Sequence, residues 1–171
     1  MRIRTLIVTA STLSFAVALT TPATSAPLCF GQEATRVGTP GDDRLVGTDG
    51  PDVIVGLAGH DTIFGRGGKD RICGGNGLDV IEGNDGLDRI DGGAYADDLY
   101  GNIGDDILRA GPALEDGTNF LFGGGGDDRL LGGVDSDDLH GHAGNDFLDG
   151  RGGVDSCDGG PGADVERNCE S

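Results

Sequence analysis

The chain has no tryptophan, one methionine, two tyrosines and six phenylalanines in 171 residues, so large side chains can supply little of a core. Positive charge is also scarce: 12 Lys and Arg stand against 30 Asp and Glu, a formal charge of −18. That balance excludes an electrostatic fit to nucleic-acid phosphates. The apolar stretch from Leu6 to Leu19 is short and interrupted by Thr9, Ser11, Thr12 and Ser14, which argues against a membrane anchor. What is abundant deepens the problem. The 35 glycines lose the most backbone entropy on ordering, and like charges resist compaction. Composition by itself describes a disordered chain.

Periodicity reverses that reading. From Gly38 to Arg109 run eight consecutive nine-residue blocks, without insertion or deletion, on the template G-x-x-G-x-D-x-U-x, where U is a large aliphatic. The sixth place holds Asp43, Asp52, Asp61, Asp70, Asp79, Asp88, Asp97 and Asp106, and the eighth holds Leu45, Ile54, Ile63, Ile72, Ile81, Ile90, Leu99 and Leu108. After Arg109 the register breaks with Ala110, Gly111, Pro112 and Ala113. It resumes in a degenerate block, Leu114 to Phe122, with Gly117, with Asn119 in the aspartate place and with Leu121 inward. The insertion reads as a bulged turn or as a hinge between two arrays. Five more blocks carry Asp128, Asp137, Asp146, Asp155 and Asp164, with Leu130, Leu139, Leu148, Cys157 and Glu166 at the inward place. A cysteine and then a glutamate at the core place mark the end of the stack. Tyr95 and Asp135 each replace a second glycine, which leaves the geometry of those two turns in question.

A fixed period with a fixed chemical role at each place predicts a stacked array. In each block the six residues through the aspartate have turn chemistry, and the last three form a short strand with the eighth place inward and the seventh and ninth outward. The pattern resembles the RTX (repeats-in-toxin) calcium-binding nonapeptide family. The resemblance implies an all-β parallel β-roll of about seven coils, two nonapeptides to each, with calcium held in the turns. It divides the chain into a leader (1–26), an N-terminal cap (27–37) ending in a short capping strand, and the roll (38–109). The insertion with its degenerate block (110–122), the rest of the roll (123–167) and a C-terminal cap (168–171) follow.

The ends carry their own signals. Arg2 and Arg4, the apolar stretch, and Ala23, Thr24, Ser25 and Ala26 have the layout of a cleaved secretory signal, and Leu28 stands where a lipid-anchoring motif on Cys29 would need a small residue. The best-known members of the family leave by a one-step route that reads a C-terminal signal, a property the leader here does not support. Four cysteines in an exported chain favour two disulfides. Of the three pairings, Cys29 with Cys73 and Cys157 with Cys169 is preferred, because each bond then fastens one end of the array to a neighbouring coil.

In such a roll, turns two blocks apart lie on one edge about 4.8 Å apart. A cation between them meets turn carbonyls and sixth-place carboxylates, hard oxygens that suit Ca²⁺ better than Mg²⁺. The candidate ligands are the thirteen sixth-place aspartates together with the turn glycines Gly47, Gly50, Gly56, Gly59, Gly65, Gly68, Gly74, Gly77, Gly83, Gly86, Gly123, Gly126, Gly141 and Gly144. Pairs two blocks apart within the two regular runs set a ceiling of nine sites, and Asp52 with Asp70 and Asp61 with Asp79 stand out because their blocks keep both glycines. The thin core predicts a chain that folds when calcium binds, crossing the membrane unfolded and ordering outside.

No separate catalytic domain fits around the array, so an enzyme is not expected. Ser136 near Asp138 and His140 lacks a nucleophile elbow or oxyanion hole. His140 and His142 could touch one metal but fall at turn-strand junctions facing solvent. The Gly123 to Gly126 run is repeat phase, since no βαβ unit surrounds it. Two roles stay open: a secreted, extracellular structural or calcium-buffering protein, and a module that adheres to cell-surface polysaccharide. Ranks of Thr or Asn for binding ice are not present. The outward Val46, Val55, Phe64 and Tyr100 mark either a sticky face or the flanks of the sheet.

Overall fold

The computed structural model describes residues 25–112 and 117–170. The leader therefore lies almost wholly outside the described residues, as do Ala113 and the start of the degenerate block. In chain order the strands are β1 (Leu28–Cys29), β2 (Gln32–Glu33), β3 (Arg36–Val37), β4 (Arg44–Val46), β5 (Val53–Ala58), β6 (Thr62–Gly68), β7 (Arg71–Asn76), β8 (Val80–Gly86) and β9 (Arg89–Ala94). They continue as β10 (Asp98–Ile103), β11 (Ile107–Arg109), β12 (Phe120–Gly125), β13 (Arg129–Leu131), β14 (Asp138–Ala143), β15 (Phe147–Asp149), β16 (Ser156–Asp158) and β17 (Val165–Arg167). No helix occurs among the described residues.

From β4 onward the even strands form one parallel sheet of seven, in the order β16-β14-β12-β10-β8-β6-β4. The odd strands from β3 to β17 form a second parallel sheet of eight. Alternate blocks thus alternate between two facing sheets, and the chain winds as the expected β-roll of about seven turns. The register repeats without slipping: Leu99 pairs with Ile81 on one side and Leu121 on the other. Because equal places sit in register, every eighth-place side chain stacks on its counterpart one coil away. The result is a double file in which Ile54, Ile63, Ile72, Ile81, Ile90, Leu99, Leu108, Leu121, Leu130, Leu139 and Leu148 are all fully buried. Leu45 and Cys157 close the file half-buried, and the exposed Glu166 ends it.

The N-terminal segment does two things. As expected of a capping strand, β3 adds to the second sheet beside β5. The antiparallel hairpin β1-β2 instead lies on the outer face of that sheet, where Cys29, Val53 and Val55 are buried together with Phe30, Ala34, Leu57 and Cys73 packed against them. Arg89 and Arg109 stack over the Phe30 ring at 4.6 and 5.7 Å. Val55, outward by its place in the repeat, is therefore covered, and two more of the outward apolar residues have partners: Arg44 lies 4.8 Å over Phe64, and Tyr100 stacks on Phe122 at 5.0 Å. Both preferred disulfides are present, Cys29 with Cys73 and Cys157 with Cys169, with Cα separations of 5.9 and 5.8 Å.

The insertion leaves the roll continuous. Ala110 is buried in the core file and donates its N–H to Leu131, so it holds the first-glycine place of its turn. Gly111, at φ +109°, stacks against Gly93 as a second-place residue does. The coil-to-coil offset is 18 residues before this turn and 22 across it, so the four extra residues enter after Gly111 and not at Ala110. Both sheets cross this point unbroken, so the blocks before and after it belong to one roll and not to two hinged arrays.

Candidate metal centre

Each turn delivers its sixth-place aspartate to the edge of the roll, and one carboxylate oxygen is spent on stacking. The Asp61 N–H donates to Oδ1 of Asp79 at 2.9 Å, Asp79 to Asp97 at 2.9 Å, and Asp88 to Asp106 at 2.8 Å. The same bond joins Asp43 to Asp61, Asp52 to Asp70, Asp70 to Asp88, Asp106 to Asp128, Asp128 to Asp146, Asp137 to Asp155 and Asp146 to Asp164. Asn119 fits this ladder because its amide oxygen accepts the Asp97 N–H at 2.8 Å while its Nδ2 donates to Asp137 Oδ1 at 2.8 Å. At the far end Glu170 takes the aspartate's part, accepting the Asp155 N–H at 3.1 Å.

The second oxygen divides the turns into two kinds. In three of them Oδ2 is capped from the second place: by Thr39 N–H and hydroxyl on Asp43 at 2.6 and 2.9 Å, by Thr48 likewise on Asp52 at 2.6 and 2.9 Å, and by Gly133 N–H on Asp137 at 2.5 Å. In nine others, at Asp61, Asp70, Asp79, Asp88, Asp97, Asp106, Asp128, Asp146 and Asp155, Oδ2 is buried and accepts no hydrogen bond from the protein. The difference lies in the backbone of the second place. In the nine open turns that residue is left-handed: Leu57 (φ 91°), Arg66 (81°), Gly75 (119°), Asn84 (74°), Gly93 (113°), Asn102 (77°), Gly124 (114°), His142 (70°) and Arg151 (71°). In the capped turns Thr39, Thr48 and Gly133 are not left-handed, so their N–H faces the carboxylate. A β-branched residue at positive φ is sterically penalised, which is why the two threonines close their turns.

Eight of the nine open Oδ2 atoms, all but that of Asp88, face a carbonyl from the next coil. A Cβ placed on Gly123 would stand 2.8 Å from the Gly141 oxygen and against Asp128 Oδ2, and one on Gly101 would stand 2.6 Å from the Gly123 oxygen and against Asp106 Oδ2. Gly56 and Gly74 look into equivalent cradles, formed by Asp61 with Gly74 and by Asp79 with Gly92. Two acceptors converge there with no donor between them, a donor set made for a hard cation. Burial raises the carboxyl pKa at all nine, against the opposing pull of the ladder hydrogen bond. Asp97 is pushed up to about 8, Asp128 to about 7, and Asp70, Asp79, Asp88 and Asp106 to about 6, with neighbouring carboxylates adding to the rise. Asp61, Asp146 and Asp155 are raised for the same reason.

The structure thus arranges the expected ligands in layers. Of the first-place glycines, Gly74, Gly83, Gly123 and Gly141 bring carbonyls to the open cradles of Asp61, Asp70, Asp106 and Asp128, Gly56 and Gly65 turn theirs toward the capped Asp43 and Asp52, and Gly47 lines the Asp52 cradle. The fourth-place residues Gly59, Gly68, Gly77, Gly86, Gly126 and Gly144 stack turn on turn. At Gly77, where φ is +139°, a Cβ would collide with the Gly59 carbonyl, so only glycine fits. Gly50 is not so constrained, since the nearest atom to a Cβ there is Thr48 Oγ1 at 4.0 Å. Tyr95 adopts φ 84°, the conformation of the glycine it replaces, and its turn stays open at Asp97. Asp135 belongs to the turn that Gly133 closes. Asp52, half of a favoured pair, has both oxygens engaged from the side of its own turn and from Thr35. Not anticipated were the carbonyls of Gly92, Ala110, Gly159 and Asn168 and the second-place residues. The readable signal for the latter is threonine against non-β-branched residues, and it covers two of the three capped turns, Gly133 being the exception.

This difference predicts a paired result. Asn84→Thr should close the Asp88 turn and remove about one calcium equivalent, and Thr48→Asn should open the Asp52 turn and add about one, as read by calcorimetric titration of each variant. The threonine at Asn84 should also lower stability by roughly 1 to 3 kcal/mol. Unchanged stoichiometry in both variants would show that the second place does not govern the sites.

Parallel coils with ranks of buried carboxylates at their turns define the chain as a calcium-type β-roll. The family model for the RTX calcium-binding nonapeptide repeat (4 copies) matches residues 37–72, 46–81, 82–112, 115–148 and 131–166. The chain belongs to this family, a structural repeat whose β-roll binds calcium. No curated protein matches the chain.

Proposed function

We propose that the chain is an exported calcium-binding β-roll that folds on ion uptake and serves a structural or calcium-buffering role outside the cell. The observation that carries this reading is the set of nine buried Oδ2 atoms without a protein donor, most of them facing a carbonyl of the adjoining coil. Asp61, Asp70, Asp79, Asp88, Asp97, Asp106, Asp128, Asp146 and Asp155 would hold the ions, with turn carbonyls completing the oxygen shell. Bound there, calcium supplies the positive charge that lets buried carboxylates ionise and ties each turn to the next. Asp43, Asp52 and Asp137, already capped, take no part. Two disulfides and the leader-like N-terminus support a place outside the reducing cytoplasm.

Isothermal titration of the chain lacking residues 1–26 tests the proposal. The expected uptake is about nine calcium ions per chain, one for each open carboxylate. Absence of calcium uptake overturns it. Buffering needs no partner, so calcium-dependent retention on immobilised polysaccharide would move the role to adhesion.

A further inference from the structure

Among the described residues, no three His, Cys, Asp or Glu side chains gather within reach of one metal. One pair of imidazoles nevertheless has the geometry of a chelate. His140 and His142 occupy alternate positions of β14, so both side chains leave the same outer face of the first sheet. Their rings are stacked, centroids 6.0 Å apart and planes 27° from parallel. Phe122 on the neighbouring strand stacks on both, at 5.2 and 6.0 Å, and keeps them aligned.

Asp138, two residues earlier on the same face, places Oδ1 3.1 Å from His140 Nε2, and that buried oxygen accepts no hydrogen bond of good geometry from any protein donor. A carboxylate beside one ring nitrogen favours the proton there electrostatically and leaves the other nitrogen's lone pair for a metal. The strand supplies rigidity, because β14 is hydrogen-bonded to β12 on one side and β16 on the other. Water and open ligand positions are at hand, since His142 is exposed and the His140 side chain is 30% exposed.

We infer that His140 and His142 form a two-imidazole site for a late divalent transition metal, Cu²⁺ in the first place, with Asp138 as its positioning residue. Ligand type separates this site from the turns. Imidazole nitrogen suits Cu²⁺, Ni²⁺ and Zn²⁺, with Cu²⁺ bound tightest, whereas calcium takes oxygen. The site exists only when β14 is formed, and to that extent it rests on the calcium-folding proposal.

The test therefore starts from chain saturated with calcium whose strand content has been verified by circular dichroism, and titrates it with Cu²⁺ in a non-chelating buffer. Calorimetry and electron paramagnetic resonance are read together. The expected result is about one Cu²⁺ per chain, with nitrogen hyperfine coupling from two imidazoles. His142→Asn should weaken binding by about tenfold or more and remove one nitrogen coupling. That variant keeps the turn, because Asn84 and Asn102 hold the same second place at positive φ. His140→Phe, which follows Phe122 at the equivalent place, should do likewise, and His60→Asn on the other side of the array should change nothing. Undiminished Cu²⁺ affinity in His142→Asn, or a wild-type spectrum with a single nitrogen, overturns the inference. Loss of strand signal before any copper is added would instead count against calcium-driven folding alone.

Discussion

Removing calcium with a chelator should unfold the roll at neutral pH, erasing most of its far-ultraviolet strand signal, and millimolar calcium should restore it. The core is a double file one residue deep, eleven fully buried aliphatics with half-buried ends, wound from a chain with 35 glycines. Against that file stand nine buried carboxylates that burial opposes as ions. Six of the nine second-place residues adopt left-handed backbone without being glycine, each at a local cost of about 1 kcal/mol or more. An ion at one to ten times its dissociation constant returns roughly 0.4 to 1.4 kcal/mol per site. Over the open turns this rivals the ~5 to 15 kcal/mol by which a whole domain is stable. Circular dichroism with and without chelator checks the expectation. Equal strand content in the two conditions would mean that the file and the disulfides suffice.

Acid should act in opposite directions on the free and the calcium-loaded chain. The folded carboxyls have pKa values raised above those of the unfolded chain, so the folded state binds more protons. Their stabilising contribution is complete below the ordinary carboxylate range and is lost as pH climbs through about 6 at Asp70, Asp79, Asp88 and Asp106, about 7 at Asp128 and about 8 at Asp97. Without calcium, the chain should therefore hold more strand at pH 5 than at pH 8. With calcium, each proton on such a carboxyl must leave before the ion is bound. Affinity should then fall between pH 8 and pH 5, by up to about tenfold per unit for each proton displaced. Calcium titrations at four pH values, with dichroism of the ion-free chain alongside, measure both trends. An affinity indifferent to pH would remove the open carboxylates from the ligand set.

Much of this was legible in the sequence because stacking turns a place in the repeat into a place in space. Ile54 to Leu148 could be assigned to the core from period alone, and the cysteine pairing followed from which bonds would fasten an end. The insertion was legible as a length, four residues, but its position was not. Ala110 is small enough to occupy a glycine's place, and nothing in its neighbours says so. The division of the turns was hidden for a different reason. The aspartates are identical along the chain, and what distinguishes Asp52 from Asp61 is the φ of Thr48 and of Leu57, residues that carry no ligand chemistry. The hairpin on the outer face of the second sheet was also unreadable, since the segment before Thr35 does not follow the template and only the side-on bond from Cys29 to Cys73 reveals where it lies.

Stacked arrays commonly fray inward from their terminal coils, where each unit has one neighbour instead of two. Here Cys29 is bonded to Cys73 in β7, and Cys157 to Cys169 beyond β17, so covalent clasps lie at both extremities. The first clasp closes β3 to β6 into one loop, and the second binds β16 to the segment after β17, so the last two strands must leave the stack together or not at all. Each end therefore comes apart as a closed ring and not strand by strand, and a ring that has let go keeps its own chain short and near at hand for rewinding when the ions return.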